Sequence, residues 1–310
     1  PPPRATRAPS PAPSPAPTPL PVPTGTPAPA ETPPPTPRST PGAEDNYLPV
    51  PTPPPLDPRA RRFDVPLPGG VVLQMVEIPA GSFLMGSPEN EPERDADEGP
   101  RTRVTFERPY FIGRTEVTRA QWRAVMGAGS APGDDLLPMT GVTWDQATEF
   151  LRRLSVLAGV EFRLPTEAQW EHAARAGTDT PFAYGEVLAS MLANIDGQWP
   201  YPRQRATEFR GTLLPAGSLP PNAWGLADIH GNAWEMMDGW HTDALPGGAV
   251  TDPPAALTGT RRVLRGGSFL VGAGQARAAN REPVDPTTTR RDAGLRVVVE
   301  LPAGTPLAQP

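Results

Sequence analysis

The chain has 310 residues, of which 48 are proline and 28 arginine, with no lysine, no cysteine and a formal net charge of −6. A negative chain without a basic cluster is not built to neutralise a phosphate backbone, which argues against nucleic acid as a partner. Without cysteine there is neither a disulfide framework nor a thiolate for redox chemistry, and no apolar run approaches the roughly 20 residues that a membrane helix needs.

Residues 1–62 read as an extended arm. The first 60 positions hold 24 of the 48 prolines, and proline fixes φ and lacks the N–H that a helix or sheet ladder requires. A polyproline-II strand rising about 3.1 Å per residue is expected. It serves either as a linker or as a recognition strip lying along a partner. The start at Pro1 suggests a removed signal peptide or anchor. A proline-rich stalk ahead of a compact domain suits the bacterial periplasm or cell surface.

Residues 63–303 are long enough for one hydrophobic core, followed by a short tail at 304–310. Val71–Ile78 and Gly81–Gly86 read as a hairpin around Pro79-Ala80, and 104–106, 110–112, 262–264 and 295–299 as further strands. Three helices carry one start signal, Thr then Gln three residues on: Thr118/Gln121, Thr143/Gln146 and Thr166/Gln169. Their stop residues are Gly127, Gly159 and Gly177. In the middle helix Trp144, Ala147, Phe150, Leu151, Leu154 and Leu157 form one apolar stripe. From 177 to 261 periodicity is absent, and Trp199, Trp224, Trp234 and Trp240 argue for ordered loop. The class is α+β.

Four blocks in order resemble the formylglycine-generating-enzyme (sulfatase-modifying factor) family: Ile78–Ser87; Phe111–Thr118 with Val142-Thr-Trp144; Arg163–Glu171; and Gly225–Glu235 followed by Arg265-Gly-Gly-Ser268. The resemblance spans roughly residues 65–302 and implies a fold related to C-type lectins. Catalytic members of that family oxidise a substrate cysteine with copper(I) and oxygen, the copper being held by two thiolates. At the matching positions stand Val271 and Ala276, neither of which can ligate a soft metal. Ser268 and Trp234 match pocket residues beside the copper. A second branch, the ergothioneine-pathway sulfoxide synthases, takes iron from histidines, but His172, His230 and His241 show no ready-made metal spacing. No copper or iron is therefore expected.

The resemblance also implies calcium, held through Asn232 and Glu235 at one site. Asn194 begins a second site whose expected aspartate is replaced by Thr207, beside Glu208. The alternative for Asn232 and Glu235 is bonding to the loop backbone. Segment 269–280 would line the groove, with Phe269, Leu270, Val271 and Gln275 as ligand-binding candidates. The acidic run 89–98 reads as a solvated loop, with an acidic lip as the alternative. Of Arg265, Arg277, Arg281 and Arg296, some are expected to pair with buried carboxylates such as Glu116, Glu167 or Glu171.

Three functions compete. The first is a non-catalytic extracytoplasmic module docking on a protein partner or membrane-associated complex, with the arm as tether or recognition strip. The second is a ligand-displaying protein resembling the retroelement-diversified, lectin-like variable proteins. The third is an oxidase of altered metal chemistry.

Overall fold

The computed structural model describes residues 47–131 and 133–301; most of the arm and the 304–310 tail lie outside the described residues. The central sheet has five strands in the order β1 (Arg62–Pro66), β2 (Val72–Ile78), β5 (Tyr110–Gly113), β12 (Val298–Val299) and β6 (Phe162–Arg163). A four-stranded sheet runs β10 (Glu282–Val284), β9 (Arg262–Arg265), β7 (Trp234–Met236), β11 (Ala293–Gly294). A three-stranded one runs β3 (Gly81–Met85), β4 (Thr102–Phe106), β8 (Ala249–Thr251).

The central sheet is buried on both faces, and strand alternation divides its side chains between two cores. Leu73, Met75, Phe111 and Val299 enter one, with Trp122 of α1 (Arg119–Met126) and Phe150 of α2 (Trp144–Ala158). Val76, Ile78, Tyr110, Ile112 and Val298 enter the other, with Trp170 of α3 (Glu167–Arg175). The α+β class stands.

The expected hairpin does not form. Its two strands exist, but β2 pairs antiparallel with β1 and β5, while β3 pairs with β4. Arg62–Pro66, unread as a strand, fills one edge of β2, and β5 the other, so no ladder remains for β3. The last expected strand shortens to Val298–Val299.

All three helices start as expected, with the threonine hydroxyl accepting from the glutamine N–H and the glutamine side chain returning to the threonine N–H. Gly127 and Gly159 end the first two. The third ends one residue early, with Ala176 itself in the left-handed conformation at φ 46°. Leu157 is 52% exposed, so the buried stripe of α2 stops at Leu154. The loop-rich span is irregular as expected, although only Trp234 of its four indoles is fully buried.

The chain already rests on the domain at Leu48, whose N–H donates to the Arg203 carbonyl at 2.8 Å.

Candidate functional site

At the end of β9 the chain turns through Gly266 and Gly267, with φ 92° and 77°, into Ser268. Gly267 lies so close to Ala276 that a Cβ there would stand 2.9 Å from the alanine methyl. Ser268 is fully buried and donates from Oγ to Asp292 Oδ2 at 2.7 Å. Burial alone would raise the Asp292 carboxyl, but bonds from Arg290 and Ser268 outweigh it and hold the group below its ordinary value. Trp234 lies on β7, wholly buried in the core, under the Arg290 guanidinium at 5.6 Å. Ser268 and Trp234 therefore brace the floor and neither is exposed to a ligand.

The segment after Ser268 lines a groove of about 400 Å³ with Glu93, Trp199, Pro200, Leu270, Val271, Gly272, Gly274 and Gln275 on its walls. Val271 and Leu270 are half-buried and Gln275 is exposed. Phe269 is a correction: it is buried beneath the groove, with Arg291 at 5.9 Å over its ring. Ala276 is buried too, in the short 3-10 turn Ala273–Ala276. Its carbonyl accepts from His230 Nδ1 at 2.7 Å, while His230 Nε2 accepts the Ala183 N–H at 3.0 Å. That pattern requires the neutral ring, and burial holds His230 down at about 4. Trp199, 46% exposed, is the groove residue that motif reasoning passed over as a loop-ordering indole.

The acidic run is not the solvated loop expected. Glu98 and Glu91 are buried and grip Arg277 from one side, with Nη1 at 2.8 Å from Glu91 and Nη2 at 2.6 Å from Glu98. Asp97 bonds His241 Nε2 at 2.7 Å. The Glu93 carbonyl accepts from Arg277 Nη2, but among the described residues its carboxylate forms no ion pair with an arginine and lies on the groove rim against Gly274. All four arginines pair with shielded carboxylates: Arg265 and Arg175 share Glu171, Arg281 forks onto Glu167, and Arg277 takes the acidic run. Arg296 also takes a buried carboxylate, though not one of the three named candidates. It forks onto Glu235, and Glu116 instead accepts from Asn232 Nδ2 at 3.0 Å.

This last exchange bears on calcium. Glu235 is saturated by Arg296 and by Trp170 Nε1 at 2.7 Å. The Asn232 Oδ1 accepts from Asn194 Nδ2 and the Leu214 N–H, both at 3.0 Å. The expected Asn232/Glu235 pair thus presents no free oxygen. Thr207 bonds Ser190 and Glu208 pairs with Arg210, so the second expected site does not assemble around Asn194. Asn194 donates to Asn232 instead.

Beside this network three buried oxygens have no partner: Glu116 Oε2, Asp228 Oδ1 and Asn194 Oδ1. Burial, with Asp228 adding repulsion, pushes the Glu116 carboxyl well above the usual range. Asp228 is pushed up to about 6 by burial, against the Gly217 N–H and Arg296 that favour its charge. Unsatisfied carboxylate and carboxamide oxygens with excess negative charge are the hard donors that calcium takes. No three His, Cys, Asp or Glu side chains converge as a metal centre among the described residues, so any calcium here would need the carboxamide and carbonyl oxygens as well.

The sulfatase-modifying factor enzyme 1-like domain matches residues 68–301. The formylglycine-generating enzyme of Thermomonospora curvata is 29% identical over 67% of this chain and 87% of its own length. The inactive C-alpha-formylglycine-generating enzyme 2 of Mus musculus is 32% identical over 63% of this chain and 74% of its own. Among solved structures, Treponema denticola variable protein 1 superposes with a TM-score of 0.64 at 25% identity, covering 78% of this chain and 99% of that one.

Proposed function

The chain belongs to the sulfatase-modifying factor enzyme 1-like family, and we propose that within it this chain is a non-catalytic binding member whose groove holds a segment of a protein partner. The observation that carries the reading is a groove kept while its thiols are gone. Val271 stands on the wall and Ala276 under the floor where the resemblance places the copper ligands, and copper(I) needs soft sulfur donors. What the groove offers is the exposed Trp199 face, the half-buried Leu270 and Val271, and the Glu93 carboxylate at the rim. An indole in a shallow apolar surface is the usual anchor of a protein contact, and Glu93 favours a basic side chain beside it.

A mouse relative named inactive and a variable protein of the same fold support a binding role. Calcium at Glu116, Asp228 and Asn194 is proposed as a structural staple, supplying positive charge to oxygens that the fold leaves unanswered. The setting proposed is the bacterial periplasm or cell surface, with the proline-rich arm tethering the domain to a membrane-associated complex. No described helix is long and apolar enough to cross a membrane.

The test is purification of the native full-length chain. A partner in fixed stoichiometry, released by Leu270→Arg, is the expected result. Oxygen uptake with cysteine-containing peptides above background, or isolation of the chain without a partner, overturns it.

A further inference from the structure

Ahead of the family-matching region, residues 47–60 run over the domain without helix or strand. Their burial has a period of three: Leu48, Pro51, Pro54, Asp57 and Ala60 are half-buried, and the residues between are exposed apart from Pro53. Three residues per turn is the repeat of polyproline II, so one edge of such a helix faces the domain from Leu48 to Asp57, where a turn closed by Ala60 N–H to Asp57 O at 3.1 Å ends it. Prolines at 49, 51, 53, 54, 55 and 58 remove six of the fourteen N–H donors. Two of those that remain are spent on the domain, one near each end of the stretch. Leu48 N–H donates to Arg203 O at 2.8 Å and Asp57 N–H to Ala223 O at 2.7 Å. The Arg205 guanidinium covers the Tyr47 ring at 4.8 Å.

We propose that the domain carries a polyproline-II-binding groove distinct from the one at Trp199, filled by its own residues 47–60, and that this occupancy holds the wall of the Trp199 groove in place. Arg203 is four residues from Trp199, about 14 Å at full extension. The turn between them is closed by Gln204 N–H to Tyr201 O at 2.9 Å. Tyr201 donates to the Pro92 carbonyl at 2.9 Å and meets Phe182 edge-on. Trp199 in turn accepts the Ala273 N–H on the opposite wall at 3.1 Å. The strip therefore bonds to the segment that carries the groove's indole. The functional consequence rests on the reading of the Trp199 groove as a binding surface; the strip and its coupling do not.

The experiment is amide hydrogen exchange on the full chain without any ligand, comparing the wild type with Leu48→Pro and Asp57→Pro, which delete the two donors, and Arg205→Ala, which releases Tyr47. Exchange at Gln204, Thr207 and Ala273 is expected to quicken tenfold or more in the proline variants and less in Arg205→Ala, with β2 and β5 unchanged. Leu48→Ala keeps the donor and should leave all rates near wild type. Unchanged rates at Gln204, Thr207 and Ala273, or acceleration spread evenly over the domain, overturn the proposal. Because no partner is added, the outcome is independent of whether the Trp199 groove binds one.

Discussion

Arg277 and Glu98 meet fork to fork, Nη2 at 2.6 Å from Oε1 and Nη1 at 2.7 Å from Oε2, with both side chains wholly shielded from water. They tie the acidic run to the floor of the groove across 179 positions of sequence. Ser87 Oγ adds a bond to Glu98 at 2.6 Å, and Glu91 accepts a second bond from Arg277 Nη1 at 2.8 Å.

Arg277→Met should destabilise the domain by about 3–5 kcal/mol, because it strands two buried carboxylates, and breaking a buried pair costs more than the pair is worth. Asp97→Asn, at the more exposed His241 contact, should cost about 1 kcal/mol or less. Denaturant unfolding of both variants checks the ranking; equal losses would mean that Arg277 is not the clasp. Burial works against the Glu98 charge, but Arg277 more than compensates and keeps its carboxyl below the ordinary value. Its contribution is full above pH 4.5 and is lost as pH falls through the lowered folded value.

Much of this was readable from residue types. Thr followed by Gln three positions on marks a helix start because both partners lie within one turn, so Thr118, Thr143 and Thr166 all cap as expected. The arginine–carboxylate rule likewise anticipated that arginines of the C-terminal block would pair with buried acids such as Glu171 and Glu167, though not which arginine takes which. Long-range choices were not readable. Which acid Arg296 takes depends on where β7 and β5 bring Glu235 and Gly113, and the acidic run looks solvated until Arg277 is placed beneath it. Phe269 and Leu270 are equally apolar neighbours, and only the turn after Ser268 sends one inward and the other to the groove. The expected hairpin failed because both edges of β2 are taken, one by the neighbouring β1, which lacked a strand signal, and the other by the distant β5, although the chain from Pro79 to Gly81 is short enough for a turn.

Calcium should raise the melting temperature of the chelator-treated protein by several degrees, since a ligand at 100 times its Kd adds about 2.7 kcal/mol. Glu116→Gln should abolish most of that rise. Without calcium the same cluster has an opposite dependence on pH from Glu98. Asp228 is raised from 3.8 to about 6, so its contribution is complete below 3.8 and is lost as pH rises through 6. The difference in stability between wild type and Asp228→Asn, followed from pH 4 to 7.5 in chelator, isolates it. A flat difference, or no response to calcium, would show that the orphaned oxygens are satisfied otherwise.

His172 sits among Phe83, Phe106, Tyr110 and Trp224 with ring centroids at 4.9–6.4 Å, and its Nδ1 has no partner. Burial holds it down at about 4, whereas the unfolded chain titrates at 6.5. The unfolded state therefore takes up the proton first as the solution is acidified. His172's contribution is full above 6.5 and declines towards pH 4, by about 1.4 kcal/mol per pH unit within that window. His172→Phe removes the titrating group and keeps the stacking. Its stability relative to wild type should improve as pH is lowered from 7 to 4.5; a constant offset would mean that His172 is protonated in the fold.

Gly272 and Gly274 separate packing of the groove from its charge. A Cβ on Gly272 would stand 2.8 Å from the Trp199 Cβ and 2.9 Å from its carbonyl oxygen, which accepts the Ala273 N–H. Backbone must move to admit it, and overpacking of this kind costs about 1–3 kcal/mol. At Gly274 the obstacle is Glu93 Oε2, 1.7 Å from the added carbon, at the free end of a flexible side chain. Gly274→Ala should therefore leave the melting temperature within a degree or two of wild type while turning Glu93 off the rim. If the groove takes a basic side chain there, partner binding should weaken in Gly274→Ala and Glu93→Gln alike, and the loss should shrink at high salt, where the wild-type contact is itself screened. Equal binding by Gly274→Ala and wild type, with Glu93→Gln also neutral, would remove the carboxylate from the recognition surface and leave Trp199, Leu270 and Val271 to carry it.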